Sequence, residues 1–188
     1  MSTDPRAAPL PIHMVRVSGG DVDALARHTV EHMAESGREG SPHFSVSSVW
    51  VIDEVRRNLI TRLAKDLDEP LWGRAWSLIG PGGVDVVGHV ELRGGRVPSE
   101  LHRATLGMGI NRAFTGQGHG RRLLDVAVKW ARDTADLDWI DLGVFSGNAP
   151  ARKLYARAGF VEIGQRDDAF RIEGGVVIDD VQMVLKLR

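Results

Sequence analysis

Two spacings of apolar residues organise the first half of the chain. Apolar residues three and four positions apart over 22–33 and 51–67 predict two amphipathic helices. Denser apolar runs predict strands, which are short and rich in branched and aromatic residues. These runs cover residues 12–17, 72–79, 84–93 and 102–111. Pro81-Gly82-Gly83 predicts a hairpin turn, so the strands on either side of it begin an antiparallel half of a sheet.

The second half alternates helices with strands. A glycine-rich turn over 115–120 opens a helix that is predicted from about 118 to 134. A strand over 139–145, a helix over 148–158 and strands over 160–165 and 176–187 complete the order. This order predicts a mixed α/β sheet with helices packed on it.

Composition is that of one ordinary globular domain. The 188 residues are 43% hydrophobic and 26% charged, and they suffice for a single core, expected over 11–188 behind a flexible tail at 1–10. A net charge of −1 gives no general reason to expect nucleic acid or a membrane surface as a partner. The absence of cysteine excludes disulfides, thiolate zinc sites and a cysteine nucleophile. No apolar run approaches ~20 residues and the start lacks the apolar core of a signal peptide, so a cytoplasmic location is expected.

The turn Thr115-Gly-Gln-Gly-His-Gly120 carries the strongest chemical signal. A strand leads into it and a helix follows, so unpaired backbone N–H groups converge at the positive end of the helix dipole. Such a site suits a phosphate-bearing ligand. A Walker loop requires Gly-Lys-Ser/Thr, whereas Arg121 and Arg122 follow this turn. A dinucleotide loop requires G-x-G-x-x-G, and the turn is one residue short of that spacing.

A third phosphate loop, Q/R-x-x-G-x-G/A, resembles the turn from Gly118 onward. Thr115 replaces its first Gln or Arg, which removes a side chain but keeps the backbone amides. Residues 148–160 match a second segment, N-x-x-A-x-x-L-Y-x-x-x-G-F, at every named position, and 179–183 resembles a common ending. Over roughly 72–187 the chain therefore resembles the GNAT acetyltransferase superfamily. The resemblance implies a mixed sheet with splayed central strands, flanked by about four helices.

The same resemblance implies a site for acetyl-CoA. Backbone groups around Gly109 would bind the pantetheine arm and polarise the thioester carbonyl, while the turn would bind the pyrophosphate. Asn148, Ala151 and Tyr155 share one helix face, because they are three and four residues apart. Tyr155 is the only tyrosine, and a phenol with a pKa of ~10 is protonated at neutral pH. The resemblance implies that it is the acid that protonates the leaving thiolate. The implied coenzyme-binding residues are Met108, Gly109, Ile110, Gln117, Gly118, His119, Gly120, Arg121, Asn148 and Ala151.

The proton acceptor is left open among several side chains. Period-two alternation puts His89, Glu91 and Arg93 on one face of their strand, and Glu91 is the candidate general base, directly or through water. A solvated strand face is the alternative for this residue. Asp141 and His102 are further candidates for the base.

Glycines and histidines add further expectations. Gly107 and Gly109 inside a strand indicate either a bulge or a close backbone approach. His28 and His32 are four residues apart on the first helix, and a structural role is expected for this pair. His119 is expected to serve through its backbone. No metal site is expected.

The sequence thus predicts an acetyl-CoA-dependent N-acetyltransferase that transfers an acetyl group directly to a primary amine of a small molecule or peptide. A non-catalytic acyl-CoA sensor or interaction module and a nucleotide-binding domain are the alternatives. Acceptor specificity is expected from the two early helices, the loop at 36–48 and the segment at 168–175. His43, Phe44 and Trp50 are open between pocket and core. A homodimer is common among proteins that the chain resembles.

Overall fold

The computed structural model describes residues 9–18, 20–47 and 49–188. The first eight residues of the expected tail lie outside these ranges. Leu10, which is described, packs against the main core, and its carbonyl accepts a hydrogen bond of 2.8 Å from Arg122 Nη2. The chain is therefore attached to the fold from this residue onward.

Helices and strands occur in the predicted order. The four helices of the described chain are α1 (Asp21–Ala34), α2 (Ile52–Leu63), α3 (His119–Asp133) and α4 (Ala149–Arg157). The strands are β1 (Ile12–Met14), β2 (Gly73–Ile79), β3 (Val86–Gly94), β4 (Arg103–Ile110), β5 (Trp139–Phe145), β6 (Val161–Arg171) and β7 (Val177–Lys186). None of the described helices has both the length and the apolar content needed to cross a membrane.

Three predicted boundaries are wrong. α2 ends at Leu63 rather than near residue 67, since Ala64 is its C-cap and the chain turns after it. β1 ends at Met14, three residues early. β6 continues to Arg171, beyond the predicted residue 165, through two register shifts against β7. The polar sequence Arg166-Asp-Asp gave no signal of that extension, because an exposed edge strand does not show the apolar alternation from which strands are predicted.

The sheet has the strand order β1-β2-β3-β4-β5-β7-β6. β4 and β5 form its parallel pair, and they are in register over three residue pairs, from Arg103↔Trp139 to Thr105↔Asp141. Beyond these pairs the two strands separate toward their carboxyl ends. On its other edge, β5 pairs with β7 along its whole length. The splayed central strands and the antiparallel first half are thus confirmed.

Helices cover both faces of the sheet. α3 packs on one face through Leu123, Leu124 and Ala127, which are fully buried against β2, β3 and β4. α1 and α2 cover the other face of β2 and β3, through a smaller cluster that includes Leu25, Leu59 and Ala75. Burial of a leucine stabilises a fold by ~1.5–3 kcal/mol, so these contacts hold the helices of both faces on the sheet.

Candidate active site

A cavity of about 1230 Å³ opens where β4 and β5 separate. It runs from the glycine turn before α3, past the ends of β4 and α4, to the face covered by α1 and α2. Among the residues that line it are His32, Glu35, Arg62, His89, Glu91, Arg93, Met108, Gly109, Ile110, Gly118, Gly120, Arg121, Asn148, Ala151 and Tyr155. One cavity therefore joins two ends. We call the end at the glycine turn the phosphate end and the end beneath α1 and α2 the acceptor end, after the ligands that the sequence predicts there.

At the phosphate end, α3 starts without a side-chain cap. Its N-cap is Gly118, in the left-handed region at a φ of 83°, and Gly116 also has a positive φ of 73°. A helix leaves its first N–H groups without intrahelical acceptors, so these groups can bind an anion. Gly120 allows close packing, because a Cβ there would lie 3.0 Å from Leu154 Cδ2 of α4.

Side chains around the turn point in different directions. Arg121 lines the cavity, and its Nε donates to Asp125 Oδ1 at 2.8 Å. Gln117 Nε2 donates to the carbonyl of Ala113 at 3.1 Å, and its side chain does not line the cavity. The His119 ring is buried, which lowers its pKa together with the charge of Arg122. Neither Gln117 nor His119 lines the cavity, so the binding role of both residues remains a prediction.

β4 carries its two glycines without a bulge. Its register with β3 is continuous from Gly88↔Ile110 to Gly94↔Ala104. A Cβ on Gly107 would lie 3.2 Å from Glu91 Oε1, and a Cβ on Gly109 would lie 2.3 Å from the His32 ring. Of the two expectations, the close approach is confirmed and the bulge is wrong. Both glycines leave the surface of β4 open to side chains from β3 and α1.

α4 and its N-cap place three predicted residues on the cavity, Asn148, Ala151 and Tyr155. Asn148 is its N-cap, and Asn148 Oδ1 accepts a hydrogen bond of 3.2 Å from the N–H of Ala151. Tyr155 lies two turns from the cap, with its ring 5.8 Å from that of Phe160. Only 7% of Tyr155 is exposed, and burial raises the pKa of its phenol. The phenol therefore stays protonated at neutral pH and can donate a proton.

Glu91 lies at the acceptor end between two arginines. Its Oε2 is 3.5 Å from Arg62 Nη2 on α2, and its Oε1 is 3.6 Å from Arg93 Nε on the same strand. Its side chain is 19% exposed, since α1 and α2 cover this face of the sheet. Glu91 is therefore partly buried, which argues against a fully solvated strand face, and its role as the base remains a prediction. The other two base candidates, Asp141 and His102, do not line the cavity, and Asp141 accepts from Arg103 Nε at 2.8 Å.

The sequence missed a histidine cluster beside Glu91. His28 Nε2 and His89 Nδ1 share one hydrogen at 2.9 Å, and the His32 ring stacks on Phe44 at 4.5 Å. Burial, reinforced by the neighbouring histidines, lowers the pKa of His28 to about 2 and that of His89 to about 3. The spacing of His28 and His32 showed their shared helix face. Nothing in the sequence showed that this face packs on His89, because that contact is tertiary.

The remaining predicted acceptor residues are divided between the cavity and its surroundings. Phe44 and Trp50 line the cavity, whereas His43 does not, and neither does the segment at 168–175. Within the described ranges, no group of three or more His, Asp or Glu side chains is arranged to hold a metal ion.

Comparison with known proteins identifies the family. The model of the acetyltransferase (GNAT) family matches residues 48–160, more than half of the chain. The chain belongs to the GNAT family. The GNAT match covers α2 to α4, and so it includes the glycine turn and the Asn148–Tyr155 segment.

Individual relatives agree with that assignment. L-amino acid N-acetyltransferase AaaT of Escherichia coli (strain K12) is 29% identical over 99 residues, which cover 53% of this chain and 60% of AaaT. The match thus spans less than two thirds of that relative. yncA of Salmonella typhimurium, whose structure contains its cofactor acetyl-CoA, superposes with a TM-score of 0.78 at 18% identity, over 96% of this chain and 95% of yncA. The spermidine N-acetyltransferase SpeG of Vibrio cholerae superposes with a TM-score of 0.69 at 20% identity, over 95% of each chain. These two superpositions confirm the fold.

Proposed function

We propose that the protein is an N-acetyltransferase that moves the acetyl group of acetyl-CoA directly to a primary amine of a small molecule or peptide. The observation that carries the proposal is one cavity containing three parts: an uncapped helix start, an open strand edge and a buried phenol. Direct transfer suits this arrangement, because it needs no enzyme nucleophile and the chain has no cysteine.

The donor lies across the splayed strands. Backbone N–H groups from Gly118 to Arg121 bind its pyrophosphate at the start of α3. The pantetheine arm runs between β4 and β5, along Met108, Gly109 and Ile110, where unpaired strand edges offer hydrogen bonds. Asn148 and Ala151 border the same groove on α4. This path brings the thioester to the end of β4, next to Tyr155.

Tyr155 and Glu91 approach the reaction from the two ends of the cavity. The amine nitrogen attacks the thioester carbon, and the tetrahedral intermediate collapses with cleavage of the C–S bond. The Tyr155 hydroxyl protonates the departing sulfur, giving CoA thiol. Glu91 attracts the ammonium form of the acceptor and takes its first proton, directly or through water, which leaves a neutral amine.

Arginines beside Glu91 favour an acceptor that also carries a carboxylate. Arg62 and Arg93 both line the cavity, and both form an ion pair with the same carboxylate, that of Glu91. Arg93 Nε is buried without a hydrogen-bond partner, and an incoming carboxylate would provide one. An amino acid has both charges in one small molecule, and AaaT, by its name, acetylates L-amino acids.

The acceptor class is tested by comparing amino acids with their decarboxylated amines and with spermidine. We expect higher kcat/KM for the amino acids. Arg93→Gln should raise the KM for an amino acid ~10-fold or more, because a charge-assisted hydrogen bond contributes ~1.5–3 kcal/mol. Arg96→Gln is the matched control, since Arg96 is on the β3–β4 connection outside the cavity. Equal kcat/KM with and without the carboxylate would contradict this acceptor class.

The donor is tested by ligand-dependent melting. Acetyl-CoA should raise Tm, whereas NAD and ATP should not, because only a ligand that binds the folded state shifts the unfolding equilibrium. Stabilisation by NAD or ATP alone would favour a nucleotide-binding domain. The expected homodimer and cytoplasmic location are separate proposals, tested by sedimentation and by fractionation.

A further inference from the structure

His32 of α1 lies at the floor of the acceptor end. The ring lines the cavity, and a Cβ on Gly109 would meet His32 Cδ2 at 2.3 Å and Nε2 at 2.5 Å. This edge of the imidazole therefore lies against the backbone of β4 at the position where the proposed thioester path ends. Phe44 stacks on the ring at an interplanar angle of 8° and fixes its plane.

The other ring nitrogen faces a carboxylate. His32 Nδ1 is buried without a hydrogen-bond partner, and Glu35 Oε2 is 3.7 Å away. Glu35 is itself held in place, because its Oε2 accepts a hydrogen bond of 2.9 Å from the backbone N–H of Arg112. A proton on Nδ1 points at this carboxylate, so the Nε2 lone pair is left free beside Gly109.

Acetyl transfer from an ammonium substrate releases two protons from nitrogen. Glu91 accounts for the first, which must leave before the amine can attack. The second leaves after the N–C bond has formed, when the nitrogen of the intermediate is positively charged. We propose that His32 takes this second proton through Nε2, and that Glu35 is the positioning residue that orients its ring. The inference rests on the proposed acetyl transfer.

The proton balance closes with these groups. The amine forms a bond to the acetyl carbon, His32 Nε2 accepts an N–H proton, and the C–S bond breaks as Tyr155 gives its proton to sulfur. The imidazolium then returns a proton to the phenolate through solvent in the open cavity. The sum is RNH₂ plus acetyl-CoA giving RNHCOCH₃ plus CoA thiol, and the proton taken by Glu91 goes to bulk water.

Geometry separates His32 from the rest of the histidine cluster. His28 does not line the cavity, and its Nε2 is occupied by His89. Groups that face His32 are Glu35 on the same helix, the rings of His28 and His89, and Phe44 from the following loop. Burial lowers the pKa of His32 and Glu35 opposes that shift, so the ring is neutral and able to accept a proton at neutral pH.

Kinetics of His32→Gln give the first test. We expect kcat to fall ~10²-fold or more, as for loss of a general base, with an unchanged acetyl-CoA Kd. Glu35→Gln should reduce kcat less and shift the pH profile, while Glu35→Asp restores part of the rate. His43→Gln is the control, because His43 is on the neighbouring loop and does not line the cavity. Circular dichroism and melting of each variant show whether it folds. A folded His32→Gln variant with kcat within threefold of wild type would overturn the proposal.

Nitrogen NMR of the wild-type protein gives a test that needs no turnover. The expected His32 signals are those of the Nδ1–H tautomer, with Nε2 unprotonated, and Glu35→Gln should alter them. Protonated Nε2 would overturn the assignment of His32 whether or not an acceptor has been found. If the wild-type protein transfers no acetyl group to any amine, the proposed function and the role of His32 both fail. If transfer occurs and a folded His32→Gln variant keeps a kcat within threefold of wild type, the proposed function stands and the His32 inference alone fails.

Discussion

The His32 ring lies against the Cα of Gly109, at a distance that leaves no room for a Cβ. This contact joins α1 to the central strand at the end of the splay. It explains the glycine at 109 better than local conformation does, because that residue has no positive φ and its strand has no bulge. A side chain here would displace the imidazole from the acceptor end.

Gly109→Ala should therefore impair both folding and catalysis. A methyl group 2.3 Å from a buried ring forces a shift, and overpacking costs ~1–3 kcal/mol. Urea denaturation measures the loss of stability, and kcat measures the displacement of His32. Gly164→Ala is the control, since a Cβ there meets nothing within 4 Å. If the two variants were equally stable and equally active, the contact would not be as tight as described.

Gly118→Ala should weaken acetyl-CoA binding. Gly118 has a φ of 83° at the N-cap of α3, where a Cβ is strained by ~1–2 kcal/mol, and relief of that strain would tilt the first N–H groups away from the pyrophosphate. Calorimetry should show a Kd raised ~10-fold. Gly82→Ala introduces similar strain, at a φ of 95° in the β2–β3 turn away from the cavity. That variant should lose stability while its Kd stays unchanged, and a Kd that rises equally in both variants would refute a local role for Gly118.

Tyr155→Phe should lower kcat ~10²-fold with little change in the Kd of acetyl-CoA. The ring keeps its packing against Phe160, and only the protonated hydroxyl is lost. Burial raises the phenol pKa, so ionisation of this single tyrosine should appear by ultraviolet absorbance above the usual pH of ~10, with the variant as the blank. Full activity of Tyr155→Phe at neutral pH would remove the acid assignment.

Stability should fall as the pH is lowered from 7 to 5. His28 and His89 have folded pKa values of about 2 and about 3, below the ordinary value of 6.5, so the unfolded chain binds more protons throughout this window. The free energy of unfolding then decreases by up to ~1.4 kcal/mol per pH unit for each histidine. Urea denaturation at both pH values measures the slope. His28→Asn should reduce this slope by about the contribution of one histidine. An unchanged slope would contradict the burial of this ring.

The donor half of the predicted site lies in segments whose sequence information is local. The turn from Thr115 to Gly120 leads into α3 and the segment from Asn148 to Tyr155 begins α4, as the sequence predicted, while their binding roles stay predictions. The splay of the central strands was implied by the family resemblance that the same segments carry. The close approach at the two glycines of β4 was also among the predictions, because glycine inside a strand indicates either a bulge or a close neighbour.

The acceptor half was only partly predictable, because it is assembled from distant segments. His32 and Glu91 are 59 positions apart by their numbers and line one cavity only when α1 packs on β3. Period-two alternation placed Glu91 and His89 on one face but could not show that α1 and α2 cover it. The arginine of α2 at position 62 reaches Glu91 from a third element. Contacts of this kind depend on tertiary packing, which single-sequence periodicity does not encode.

The central claim is direct acetyl transfer from acetyl-CoA to an amine within this cavity. It is tested most directly by incubating the protein with acetyl-CoA and a panel of amino acids, amines and peptides. CoA thiol and N-acetylated product are then measured in the same sample. The account predicts equal amounts of thiol and product for at least one amine, with both lost in Tyr155→Phe. Tight binding of CoA with no thiol release across the panel would contradict it and would favour a non-catalytic acyl-CoA sensor.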